Sequence, residues 1–124
     1  MPKREPAFES TAEAYLALLK QRGIDWLFAN AGTDFAPIIE ALVRGRKAGV
    51  AMPEAVPIAH ETIAVGMAHG FYLVTGRPQA VMVHVNVGTA NAQDPSAIRP
   101  MERSVICNPN WRESMSAPPS STAA

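Results

Sequence analysis

The sequence predicts an α/β fold, a partial open parallel sheet with helices on both faces. Two short, almost continuously apolar runs, residues 24–29 (IDWLFA) and 79–87 (QAVMVHVNV), read as strands buried on both sides. Segments of helical period lie between and before them, and strands separated in this way imply crossover connections and a parallel sheet.

Each element has its own local warrant. Ser10 and Glu13 have capping-box spacing, Ala14, Leu16, Leu18 and Leu19 follow, and Gly23 stops the segment, so a helix is expected over about 10–22. After the first strand, Asn30-Ala31-Gly32-Thr33-Asp34 is turn-prone, with Thr33 or Asp34 available to cap a helix over about 35–46 that carries Ile38, Ile39, Leu42 and Val43. Residues 52–59 hold Pro53 and Pro57, so any strand there is short and lies near an edge. Residues 60–75 place Ile63, Ala64, Met67, Ala68 and Phe71 on one helical face, and Gly76 with Pro78 closes the helix. The second strand runs into Gly88-Thr89-Ala90-Asn91. From Gln93 the character changes: five prolines, six serines and no glycine in the last 32 residues predict an irregular segment over 93–124, with disorder in at least its last dozen residues.

Composition narrows the function classes. With 124 residues, 48% hydrophobic and 18% charged, the chain suits one small folded unit. Eleven basic and eleven acidic residues cancel, which disfavours nucleic acid and anionic membrane surfaces as partners. Cys107 is the only cysteine, so no intrachain disulfide forms, and a reducing compartment fits. The first ten residues have no apolar core of a signal peptide, and no apolar run reaches the ~18 residues of a membrane span, so a cytoplasmic protein is expected. No metal site is expected, because His60 and His69 stand nine residues apart on opposite sides of one helix.

Residues 60–78, HETIAVGMAHGFYLVTGRP, carry a more specific pattern: His60-Glu61, Ala64, Met67-Ala68, Gly70, Thr75-Gly76 and Pro78. This resembles the signature of the acetolactate synthase, pyruvate decarboxylase and benzoylformate decarboxylase superfamily of thiamin-diphosphate enzymes. Residues 28–34 stand where the family has a strand and a Gly-Pro-Gly type turn, of which only Gly32 is kept. Residues 86–91 stand where it has Gly-Pro-Gly-x-x-Asn, of which Gly88 and Asn91 are kept. The match runs over about 10–92, so the division expected is a partial N-terminal pyrimidine-binding domain, the first half of a thiamin-diphosphate-binding fold, over 1–92 and the irregular segment beyond. The break at Gln93 suggests truncation, for example by a frameshift.

The resemblance implies thiamin diphosphate as cofactor and Glu61 as the residue that hydrogen-bonds its aminopyrimidine, favouring the imino tautomer whose nitrogen deprotonates the thiazolium carbon for attack on a 2-keto acid. Such a carboxyl group belongs in an apolar, water-poor setting where its pKa rises, and Ile63, Ala64, Val65 and Met67 are candidates to supply it. The plainer reading of Glu61 is an acid complementing the dipole of a helix first turn. Gly32 and Gly88 are expected to end strands just before helices, serving either close approach to the cofactor or turn geometry alone. Asn91 either bonds near the cofactor or caps the next helix, and His84 is either a core histidine or a group near the substrate pocket. The family's diphosphate and Mg²⁺ site lies on a separate domain absent from this sequence, and its active sites form between subunits. Three functions follow: a thiamin-diphosphate-binding fragment of a 2-keto-acid decarboxylase or carboligase, inactive alone; an assembly module docking on a like copy or a complementary catalytic subunit; or a nonfunctional remnant.

Overall fold

A computed structural model describes residues 8–92 and the backbone of residues 105–107. Helix α1 (Thr11–Gln21) begins at Ser10, whose hydroxyl accepts the Glu13 N–H at 3.2 Å, while the Glu13 carboxylate turns back to accept the Glu9 N–H at 3.0 Å. Gly23, at φ +85°, turns the chain into strand β1 (Trp26–Asn30). A 3₁₀ turn (Thr33–Phe35) then leads into α2 (Ala36–Lys47), with Pro37 in its first turn. Neither Thr33 nor Asp34 caps α2; Phe35 holds the N-cap position and makes no side-chain cap bond. Strand β2 (Glu54–Ile58) is an exposed edge, where Pro57 is tolerated. Helix α3 (Glu61–Thr75) starts at His60, whose Nδ1 accepts the Thr62 N–H, and ends at Gly76 in the left-handed region. Strand β3 (Ala80–Met82), helix α4 (Val85–Ala92) and strand β4 (Val105–Cys107) follow.

The four strands are all parallel, in the order β2-β1-β3-β4. Alternation along β1 and β3 splits the core in two. Leu27, Ala80 and Met82 face α1 and α2 and pack with Leu16, Leu19, Phe35 and Ala41. Phe28, Val81 and Val83 face α3 and α4 and pack with Ala64, Val65, Ala68 and Ala92. Helices therefore cover both faces, and this double burial is what the unbroken apolar runs reflect. Among the described residues no helix is long and apolar enough to cross a membrane.

Three local features depart from the sequence reading. Strand β3 pairs only over three residues, because the chain turns at Val85 with φ +48° and starts α4 where the β-branched run predicted continued strand. The buried face of α3 is Glu61, Ala64, Val65 and Ala68, whereas Ile63 (53% exposed) and Met67 (42%) point outward. Small side chains let the helix lie close to the sheet, and hydropathy alone does not distinguish that face from its neighbour. Finally, β4 falls within the stretch expected to be irregular and pairs with β3; the rest of 93–124, including the tail expected to be disordered, lies outside the described residues.

At the amino edge of the sheet, one fully buried side chain ties distant segments together. Gln79 Oε1 accepts the backbone N–H groups of Asp25 (2.9 Å) and Trp26 (2.8 Å), across more than fifty residues of sequence. Around it, Asp25 accepts from Lys20 at 2.6 Å and from Arg77, and Arg77 also donates to the Gly23 carbonyl. These cations hold the Asp25 carboxyl below its ordinary pKa, Lys20 being the larger influence. Replacing Gln79 with Ala leaves two N–H groups at the head of β1 unpaired, at about 1–3 kcal/mol for each group that stays buried. Gln79→Ala is expected to lower unfolding stability by about 2–4 kcal/mol, read as the fall in the urea midpoint followed by circular dichroism.

Candidate functional site

The carboxyl ends of β1 and β3 bring the polar residues together. Continuing the register of Ala29 with Met82 by two residues sets Asn30 level with Val83 and Ala31 level with His84. The first turn of α3 lies over the same edge, and α4 descends beside it. Open α/β sheets bind ligands at this end of their strands.

Glu61 is the centre of the cluster. It is 6% exposed, and each carboxylate oxygen has an amide donor: Asn30 Nδ2 bonds Oε1 in a short contact, and Asn91 Nδ2 bonds Oε2 at 3.1 Å. Asn91 also receives, at its backbone carbonyl, the Thr62 hydroxyl at 3.1 Å, so α3 and α4 are tied by two bonds at one point. Gly88 closes the remaining side. A Cβ at Gly88 would stand 2.9 Å from Glu61 Oε1, so the absence of a side chain there is a condition for the carboxylate's position.

The electrostatics reverse the sequence expectation. Burial pushes the Glu61 pKa up, but the Asn91 amide, its own backbone N–H, the Asn30 amide and the neighbouring His60 together pull it below its ordinary value of 4.5. Donors to the charged form outweigh desolvation. The expected apolar shell is only partly present, since Ala64 and Val65 are buried while Ile63 and Met67 face away.

A second polar pair lies along the same edge. His84 Nδ1 and Asp34 Oδ1 are 2.6 Å apart, and Phe35 meets the imidazole edge-on at a centroid distance of 5.7 Å. Gly32 is the space these groups need: a Cβ there would fall 2.5 Å from His84 Nδ1 and 2.8 Å from Asp34 Oδ1.

Of the residues singled out from sequence, Glu61, Gly88 and Asn91 meet in one cluster, and Gly32 stands with His84 and Asp34. Gly88 does not precede a helix as expected but lies inside α4, because the helix starts early at Val85. Asn91 sits in the last turn of α4, not at the N-cap of a described helix. Sequence reasoning missed Asn30, read only as a turn residue, and Asp34, read as a cap. Their position directly after a buried parallel strand was the available signal.

Comparison with known proteins bears on this arrangement. The profile of the family described as thiamine pyrophosphate enzyme, N-terminal TPP binding domain, matches residues 9–95. The chain is 32% identical over 83 residues to a Mycobacterium tuberculosis protein assigned as acetolactate synthase large subunit IlvX, covering 64% of this chain and 15% of that protein. It is 31% identical over 74 residues to benzoylformate decarboxylase of Pseudomonas aeruginosa, covering 60% of this chain and 13% of that enzyme. The chain thus aligns with less than a sixth of the length of either relative.

The donors around Glu61 set its acid response. Its folded pKa is lowered, so its contribution to stability is complete above the unfolded value near 4.5 and is lost as pH falls through the folded value. Glu61→Gln is therefore expected to show a shallower loss of stability below about pH 4.5, by up to about 1.4 kcal/mol per pH unit, in urea titrations across the acid range.

Proposed function

This chain belongs to the thiamine pyrophosphate enzymes, as their N-terminal TPP binding domain, and from that premise we propose that it contributes the aminopyrimidine half of a thiamin diphosphate site through Glu61. The observation that carries the reading is the Glu61 carboxylate itself, buried at the carboxyl edge and held by two asparagine amides against Gly88. A carboxylate has about four lone-pair positions. Two are taken by the asparagine amides and a third by the residue's own backbone N–H, so the group keeps acceptor capacity for one ring nitrogen that carries or shares a proton.

Thiamin diphosphate supplies the carbanion chemistry of a 2-keto-acid decarboxylase or carboligase, and the substrate class is inferred from the relatives alone. The chain's own contribution is to hold one carboxylate in a fixed orientation and ionisation state. Gly88 and Asn91 keep it there, and Gly32 keeps the neighbouring turn compact. The cofactor's diphosphate and Mg²⁺ contacts are expected from another domain or subunit, so the chain alone is expected to bind weakly and to be inactive.

The test is an NMR titration of the labelled chain with three probes. Thiamin and thiamin diphosphate with Mg²⁺ are expected to shift the same amides near Glu61 with similar affinity, on the order of millimolar. Inorganic pyrophosphate with Mg²⁺ is expected to shift none, and Glu61→Gln to weaken the thiamin response about tenfold or more. Micromolar, diphosphate-dependent binding overturns the half-site reading.

One observation favours a role in assembly as well. Ile63, Gly66, Met67, Gly70 and Val74 share one outward face of α3, and Val74 is 87% exposed. A row of this kind suits contact with another polypeptide. The occupant proposed is a second copy of this chain or a complementary catalytic subunit. Light scattering over a wide concentration range is expected to show self-association that Met67→Arg abolishes without lowering the melting temperature.

A further inference from the structure

We propose that the first turn of α4 is a two-state element, helical in this structure and extended in its alternative, and that the Glu61 carboxylate latches the helical state through Asn91. Release of the latch by a bound ring rests on the cofactor reading above; the latch itself stands apart from it.

The local preferences of this segment oppose the form it adopts. Residues 79–87 (QAVMVHVNV) place valine at every second position from Val81, as a continued strand would, and a β-branched side chain loses freedom in a helix. The chain nevertheless leaves β3 at Met82 and starts α4 at Val85, whose φ of +48° is an outlier for a β-branched residue. The helical state also gains little apolar burial at its start, since Val87 is left 68% exposed. Extended backbone through residue 87 relieves Val85 and sets Val85 and Val87 on the same side as Val81 and Val83. A turn whose strain and sequence preference point one way while its form points the other is held by contacts elsewhere.

Those contacts converge on Glu61. Within the turn, the Gly88 N–H bonds the His84 carbonyl and the Thr89 hydroxyl bonds the Val85 carbonyl, each at 3.0 Å. At the far end of α4, Asn91 donates to Glu61 Oε2 at 3.1 Å, its carbonyl accepts the Thr62 hydroxyl, and Ala92 is fully buried beside Ala64 and Val65. The Thr62 bond and Ala92 anchor that end whatever the charge on Glu61, whereas the Asn91 amide bond depends on it. Gly88 marks the state of the turn. In the helix it lies so close to Glu61 Oε1 that a Cβ would stand 2.9 Å away, and extension of residues 83–87 carries it off. Release of the turn therefore clears space beside the carboxylate, and a ring that shares a proton with Glu61 weakens the hold on Asn91 and favours that release.

Amide hydrogen exchange of the full chain, resolved by residue with NMR, tests the latch, with the Gly88 N–H as reporter and the amides of β1 as reference. Asn91→Ala is expected to speed exchange at Gly88 about tenfold, as the loss of one hydrogen bond to a charged group requires, while β1 changes little. Val85→Asn, which accepts left-handed backbone and lacks the strand preference, is expected to slow it about threefold or more. An unchanged Gly88 rate in Asn91→Ala overturns the proposal, and so does a rise no larger than that of β1. Unchanged or faster exchange in Val85→Asn overturns it as well. Thiamin added to the wild type is then expected to speed exchange at Gly88. Shifts of the amides near Glu61 with Gly88 exchange unaltered or slowed overturn the coupling to the ligand. No shift near Glu61 overturns the cofactor reading, and the two variants still decide the latch.

Discussion

The parallel pairing of β1 with β3 is the constraint on which everything else depends. Leu27, Phe28 and Ala29 lie against Ala80, Val81 and Met82, and this register decides which side chains enter each of the two cores. It also sets the height at which each strand exits. A slip of one residue would exchange the two faces and carry Asn30 away from the first turn of α3. Gln79 secures the register from the other end by accepting two N–H groups at the head of β1. The site at the carboxyl edge is thus a consequence of a pin at the amino edge.

Glu61 shows how the same position is read differently by hydropathy and by hydrogen bonding. Burial alone favours the protonated acid. Two asparagine amides and the first-turn backbone N–H favour the carboxylate, and together they prevail. The residue is held as an ionised acceptor at rest, so a ligand that brings a proton toward it meets a charge already localised and oriented. The stabilisation comes from Asn30 and Asn91, thirty or so residues away on either side, rather than from the apolar neighbours along α3.

What was legible in the sequence was what is local. Ser10 with Glu13, and Gly76 after Thr75, mark helix ends because capping acts within one turn. The apolar run over 24–29 marks a central strand because both of its faces are covered. The spaced pattern from His60 to Pro78 identified the family, because many fixed points lie within nineteen residues. Less was visible where the decision is made across the fold. Nothing near Val85 announces a left-handed turn, since the residue is β-branched and its neighbours alternate like a strand. Ile63 and Ala64 are adjacent and both apolar, and only the distance between helix and sheet decides that the smaller one turns inward. Asp34 was a reasonable cap on local grounds, and its bond to His84 spans fifty residues.

Those long spans carry a further meaning for how the site comes into being. Asn30 and Glu61 are 31 residues apart, Glu61 and Asn91 are 30 apart, and Asp25 and Gln79 are 54 apart. A nascent chain emerging from the ribosome has α1 and β1 available long before β3, and Glu61 has only one of its two amide partners until residue 91 is released. The carboxylate's cradle therefore cannot be complete before residue 91 is available. A quality-control system that sampled the chain while it was being made would meet a carboxylate with at most one of its two amide partners until residue 91 had emerged.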